Sequence, residues 1–255
     1  MGIVETLLPL TLLLVFLITL ISGVIKGAIG FAMPLVMISG LSSLIDPKHA
    51  IAAIIFPIVF SNILQTFRKG LAPAIDALRD CWRYVLIVCL FIFASAQFVP
   101  DIPTQLFYWI LGIPVVVLSL VQLLGIQLTI PVEYRKQAEW LVGAISGALG
   151  GFAGTWGPTT VLYLLAIQTP KAKQIIIQGV VYGIGAVTLL FAHLQSGILN
   201  SQTAPLSAIL LPIALIGMWL GFKIQDKLNQ ALFKKITLVV LVIAGLNLLR
   251  RGMAI

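Results

Sequence analysis

Two stretches of this sequence set glycine, proline and hydrogen-bonding residues inside apolar runs, where they are costly unless they do something. The first is Ser22-Gly23-Val24-Ile25-Lys26-Gly27-Ala28-Ile29-Gly30-Phe31-Ala32-Met33-Pro34. The second is Ser146-Gly147-Ala148-Leu149-Gly150-Gly151-Phe152-Ala153-Gly154-Thr155-Trp156-Gly157-Pro158. At an offset of 124 without a gap, Ser, three Gly and Pro coincide, and one deletion later Pro47-Lys48 falls on Pro170-Lys171. The pattern reads as a duplication. Small residues four apart also let membrane helices pack closely, which accounts for the glycines but not the prolines. Pro34 and Pro158 each remove a backbone donor, costing a continuous helix about 3 kcal/mol or more, so a break is expected at each. A helix that restarts after such a break aims free N–H groups and a positive dipole end back at it, a geometry suited to an anion. Lys26 lies in the first break, and a cation at membrane depth is by default a candidate functional group; the plainer reading is a side chain snorkelling to an interface.

The candidate substrate-binding set built on the breaks is Lys26, Gly27, Gly30, Phe31 and Pro34 from the first, with Gly151, Gly154, Thr155, Trp156, Gly157, Pro158 and Thr159 from the second. Asn62 and Gln65 on one helix, beside Ser61, and Gln178 and Tyr182 on its counterpart complete it. Interhelical hydrogen bonding is the alternative for each polar side chain alone. His193 reads as structural or interfacial, or else as the one proton-linked group in a span, and His49 as a surface residue.

The elements that must position these residues follow from composition. The 255 residues are 60% hydrophobic and 9% charged, with a mean hydropathy of +1.11; a soluble domain carries roughly a quarter charged residues. Apolar runs cover 3–25, 50–67, 84–99, 106–126, 141–154, 175–193, 206–222 and 236–249. A run of about 20 apolar residues crosses a bilayer core, and its backbone must be helical there. The expected fold is an all-α polytopic membrane protein. Residues 3–44 would measure about 63 Å as one helix, twice the bilayer core, so the chain is expected to turn back near Gly30 and near Gly154. Each half then holds a broken first helix followed by about three transmembrane helices, with repeats at 1–128 and 140–255 and a cytoplasmic linker at 129–139. The first run reads as a retained helix rather than a signal peptide, since no basic segment precedes it and no cleavage site follows. Met1-Gly2-Ile3-Val4-Glu5-Thr6 matches a myristoylation pattern by chance.

Charge orients the chain. The net +8 comes from Lys and Arg placed between apolar runs, which is a topology signal and not a nucleic-acid-binding face. Connections 68–83, 129–139, 169–174 and 223–235 are basic, whereas 98–105 and 194–205 contain no Lys or Arg. Basic connections belong in the cytoplasm. Only a turn-back in each half satisfies all of them, and it makes the second half an inverted copy of the first with both termini outside. Lys48, Arg250 and Arg251 do not fit. All eight acidic residues lie in connections or at segment ends, which leaves no mid-span carboxylate for a cation and mildly favours an anion. An intramembrane enzyme would need a nucleophile and base or several metal ligands within the membrane; with two His far apart, no catalytic set, metal site or cofactor is expected. Cys81 and Cys89 read as core residues rather than a disulfide.

A Gly-rich break ending in Pro, present in each half of a membrane protein of this size, resembles the TauE/SafE family, also called the toluene sulfonate uptake permease family. The second copy, with Gly154-Thr155-Trp156-Gly157-Pro158 followed by Leu162-Tyr163-Leu164, is especially similar. The first copy is less glycine-rich and carries Lys26 where a small or neutral residue is more usual. The resemblance implies a bacterial or archaeal plasma-membrane transporter of small sulfur-containing anions such as sulfite, sulfoacetate or aryl sulfonates. Such a protein works by alternating access, with the anion and the bilayer as partners, as a monomer or a homo-oligomer. A passive anion channel is the alternative that shares the same electrostatics.

Overall fold

A computed structural model describes residues 8–41, 43–45, 47–97, 104–126, 129–153, 156–195 and 197–253 of the chain. It is all-helical. In chain order the helices are α1 (Pro9–Ile29), α2 (Met33–Leu41), α3 (Pro47–Phe67), α4 (Leu71–Gln97), α5 (Thr104–Leu123), a 3₁₀ turn (Val132–Tyr134), α6 (Arg135–Ala153), α7 (Gly157–Ala166), α8 (Lys171–Gln195), α9 (Ala204–Lys227) and α10 (Gln230–Met253). A long helix, a short one of 9 or 10 residues and three more long ones thus occur twice in succession.

Both breaks form where the prolines require them. α1 stops at Gly30, whose φ of 85° is open to glycine at little cost, and its N–H closes on the Lys26 carbonyl. α2 then folds back beside α1, so that Gly40 lies against Ile18. After the second break, Thr159 Oγ1 hydrogen-bonds Ser146 Oγ at 2.5 Å across the α6–α7 turn. Pro34 and Pro158 each sit in the first turn of the restarting helix, where no N–H is needed.

Glycines set the long-helix contacts. Gly23 faces Ala214 and Gly217, and Gly27 faces Gly221, so α1 and α9 run parallel with their backbones touching. Gly143 meets Tyr84 and Ile87, while Gly147 meets Val88 and Gly150 meets Ile92, which makes α4 and α6 parallel. Gly179 abuts Thr66 and Gly183 abuts Asn62, so α3 and α8 are antiparallel. Gly112 against Gly245 and Leu249 makes α5 and α10 antiparallel too.

Among the described residues five helices are long and apolar enough to cross a membrane: α1, α3 from His49, α8, α9 and α10. Large apolar side chains such as Leu13, Leu17, Ile21, Phe93, Trp219 and Ile243 stand exposed on the outside of the bundle, as lipid contact demands. The helices outrun the apolar runs. α4 begins at Leu71 and α6 at Arg135, so much of the basic connections at 68–83 and 129–139 is helix. Hydropathy marks the part that suits lipid, whereas Ala, Leu, Arg and Glu sustain a helix beyond it.

Candidate functional site

Lys26 is buried, at 3% exposure, and does not snorkel. Its Nζ donates to Asn62 Oδ1 at 2.5 Å and to the Gly30 carbonyl at 3.0 Å, and stands over the Tyr182 ring at 5.1 Å. The Gly30 bond places a cation at the negative end of α1. Asn62 Nδ2 in turn donates to the Tyr182 carbonyl at 3.3 Å. Ion pairs among the described residues join Arg68 to Asp226, Arg79 to Asp76 and Lys173 to Asp80; none involves Lys26. Among the described residues, neutral groups alone hold this ammonium.

It lines a cavity of about 30 Å³ together with Phe31, Ala32, Met33, Pro34, Leu35, Ile58, Ser61, Asn62, Trp156, Gly157, Pro158 and Tyr182. A single water needs about 10–15 Å³ of such space, so the cavity suits a small ion. The first turns of α2 and α7 both border it. Their early N–H groups have no partner within the helix, and both positive dipole ends border the same cavity. Tyr182 fixes the second turn by donating from its hydroxyl to the Gly157 carbonyl at 3.0 Å, and Trp156 meets the Tyr182 ring edge-on at 6.4 Å.

The structure therefore brings together Lys26, Phe31, Pro34, Asn62, Trp156, Gly157, Pro158 and Tyr182 from the expected set. Gly30 contributes its carbonyl; its Cα side faces Gln65 and Gln178 one layer away, not the cavity. Gly27 is taken up by the α1–α9 contact. Gly151 is half-buried in α6 and outside the lining, and Thr159 belongs to a neighbouring network. Gly154 and Thr155 lie outside the described residues.

Sequence reasoning had Thr159 and Thr160 as candidates beside the second break but missed the network that Tyr84 makes of them. Tyr84 OH, buried, bonds Ser146 Oγ at 2.9 Å and donates to Thr160 Oγ1 at 3.0 Å, and both threonines donate to the Trp156 carbonyl. Tyr84 also stacks on Tyr163, with ring centroids 5.1 Å apart. The network holds the second break in shape. Nothing in the α4 sequence marks Tyr84, because its partners come from α6 and α7. Ala32 was also missed; it is the residue between the breakpoints with a φ of 74°.

No curated protein and no solved structure matches the chain. Residues 15–248 match the family described as Sulfite exporter TauE/SafE. That match covers both breaks and every residue that lines the cavity, and the chain belongs to the TauE/SafE family of membrane transporters.

Proposed function

We propose that this protein is a secondary transporter that carries a small sulfur oxyanion of the sulfite class by alternating access, with the anion held between Lys26 and the N-termini of α2 and α7. The observation that carries this reading is a buried ammonium with no carboxylate partner among the described residues, at the meeting point of two helix N-termini. A buried charge without its counter-charge is costly, and an anion supplies it. The cavity's size favours sulfite over aryl sulfonates. Ser61 and Trp156 complete a polar and aromatic lining around it.

The inverted arrangement is supported by helix direction. α1, α3 and α9 run one way and α4, α6 and α8 the other, since Phe56 and Arg68 meet Ser207 and Asp226 in the same order, as Asp80 and Cys89 meet Lys173 and Thr188. Each first-half helix is then antiparallel to its second-half counterpart. The basic stretches gather at one end of the bundle: Arg68 pairs with Asp226, Lys171 N–H donates to Gln230 Oε1, and Arg135, Glu139 and Lys173 share a cleft. The positive-inside rule makes that end cytoplasmic and puts the start of α1 and the end of α10 outside. Arg250 and Arg251, in the last turn of α10, remain at the opposite end.

Lys26→Met keeps most of the side-chain length and removes the charge. Titrating purified protein with sulfite should show affinity falling by roughly 5- to 150-fold, corresponding to about 1–3 kcal/mol, with Lys26→Arg retaining part of it. Affinity unchanged within about twofold would remove Lys26 from the site and leave it as a cap on α1. In proteoliposomes, saturable flux with counterflow separates this carrier from a channel, which gives ohmic currents.

A further inference from the structure

Between the cavity and the basic end of the bundle lie three glutamines. Gln65 of α3 and Gln174 and Gln178 of α8 are each 0% exposed. Gln174 and Gln178 are one helical turn apart and share a face of α8. A Cβ on Gly30 would clash with Gln178 Oε1 and crowd Gln65 Nε2 at 3.1 Å, so both amide ends lie beside the residue whose carbonyl Lys26 holds. On their far side is a cleft of about 370 Å³ lined by Gln65, Arg68, Lys69, Lys171 and Gln225 among others. Gln65 thus forms a wall shared by that cleft and the layer beneath the cavity.

These amides are short of partners. Gln65 Nε2 donates to the Ile175 carbonyl at 2.8 Å, but Gln65 Oε1 and both polar atoms of Gln174 and of Gln178 bond nothing among the described residues. Buried polar groups are nearly always hydrogen-bonded, and a core built only for packing would carry Leu or Met in these places. Five unpaired polar atoms, on Gln65 and along one face of α8, are accounted for by a ligand that passes them. Their chemistry defines that ligand. Three are acceptors and two are donors. A bare oxyanion would satisfy the donors alone, whereas a singly protonated oxyanion, or an oxyanion with its water, satisfies both kinds.

We propose that Gln65, Gln174 and Gln178 form a second, uncharged binding station through which a hydrogen-bond-donating monoanion such as hydrogen sulfite, or a hydrated oxyanion, moves between the Lys26 cavity and the basic cleft. This rests on the reading of the cavity as the central site and adds a separate place with its own selectivity. Neutral amides bind an anion weakly enough to release it, which a second lysine would not.

The test has two arms. In the full-length chain carrying Cys81→Ala and Cys89→Ala, Gln174→Cys, Gln178→Cys and the packed control Val181→Cys are exposed from the basic side to an anionic methanethiosulfonate. A passage predicts reaction at 174 and 178 at least about tenfold faster than at 181, slowed by sulfite. Equal rates at all three positions overturn it. The comparison of rates needs no substrate binding, so it stands even if the cavity proves not to bind sulfite. In the second arm Gln174→Leu and Gln178→Leu remove the unpaired atoms without changing side-chain size greatly. Each should cut sulfite flux by about tenfold or more while sulfite binding by purified protein stays within about twofold of wild type. Unchanged flux overturns the proposal, and so does a parallel loss of binding, which would merge the glutamines into the central site.

Discussion

Ala32 occupies a left-handed backbone conformation, with a φ of 74°, two residues after Gly30 at 85° and directly on the cavity wall. For an alanine this conformation costs roughly 1–2 kcal/mol, and strain of this kind is held only where the surroundings impose it. Here Lys26 imposes it by gripping the Gly30 carbonyl from one side, while the Val36 N–H bonds the Ala32 carbonyl at 3.0 Å from the other. Glycine relieves the strain but loses about 0.5–1 kcal/mol of chain entropy, so Ala32→Gly should melt at or slightly above wild type in detergent. A β-branched side chain fits this conformation worst, and Ala32→Val should lower the melting temperature clearly. If both variants melted alike, the turn would not be the imposed conformation described here. The same residue shows why Lys26 is more than a cap. A capping bond needs one of its three donors, yet its burial and second bond to Asn62 tie it to α3 and to the cavity.

The glycines of the two breaks divide into two kinds once the helices are in place. Gly27 lies so close to α9 that a Cβ would stand 2.8 Å from the Gly221 Cα and 2.9 Å from the Phe222 nitrogen. Those are backbone atoms and cannot move aside. Around Gly157 the nearest atoms to such a Cβ are side-chain atoms of Phe31 and Tyr182 at 3.7 and 3.8 Å, an ordinary contact. Gly27→Ala should therefore destabilise the protein by about 1–3 kcal/mol or more, seen as a lower melting temperature and poor yield. Gly157→Ala should fold normally but weaken sulfite binding, because its methyl takes up part of a cavity of about 30 Å³. Equal stability of the two variants would contradict the division. The sequence shows both glycines in equivalent-looking surroundings, since spacing reports that a close approach exists and not what is approached. For the same reason the breaks, their prolines and the long helices were legible from spacing and hydropathy. Tyr84, Gln174 and the true starts of α4 and α6 were not. A lone tyrosine or glutamine acquires meaning only from partners on other helices, and hydropathy records the lipid-facing part of a helix rather than its length.

At the scale of the molecule, the basic end is closed by contacts that each join the two halves. Arg68 at the end of α3 pairs with Asp226 of α9 at 2.7 Å, also bonds Gln225, and stacks on Phe222 at 3.9 Å. Lys173 of α8 pairs with Asp80 of α4 at 2.5 Å. Surface ion pairs contribute little to stability, about 0–1 kcal/mol, which suits contacts that would open and close in the proposed transport cycle. If transport proceeds by alternating access, the α3 and α9 ends must separate to open the glutamine layer to that side, and tethering them must stop turnover. Arg68→Cys with Asp226→Cys, in a chain carrying Cys81→Ala and Cys89→Ala, provides the test. A short, membrane-impermeant bis-methanethiosulfonate should abolish sulfite flux, a reductant should restore it, and either single cysteine should be insensitive. Under the proposed orientation, with the basic end in the cytoplasm, the reagent should act on inside-out vesicles and not on right-side-out ones. Inhibition only from the opposite side would reverse the orientation while keeping the mechanism. Full flux through the tethered protein would mean that the halves need not part, and the same helix dipoles and buried lysine would then belong to a channel.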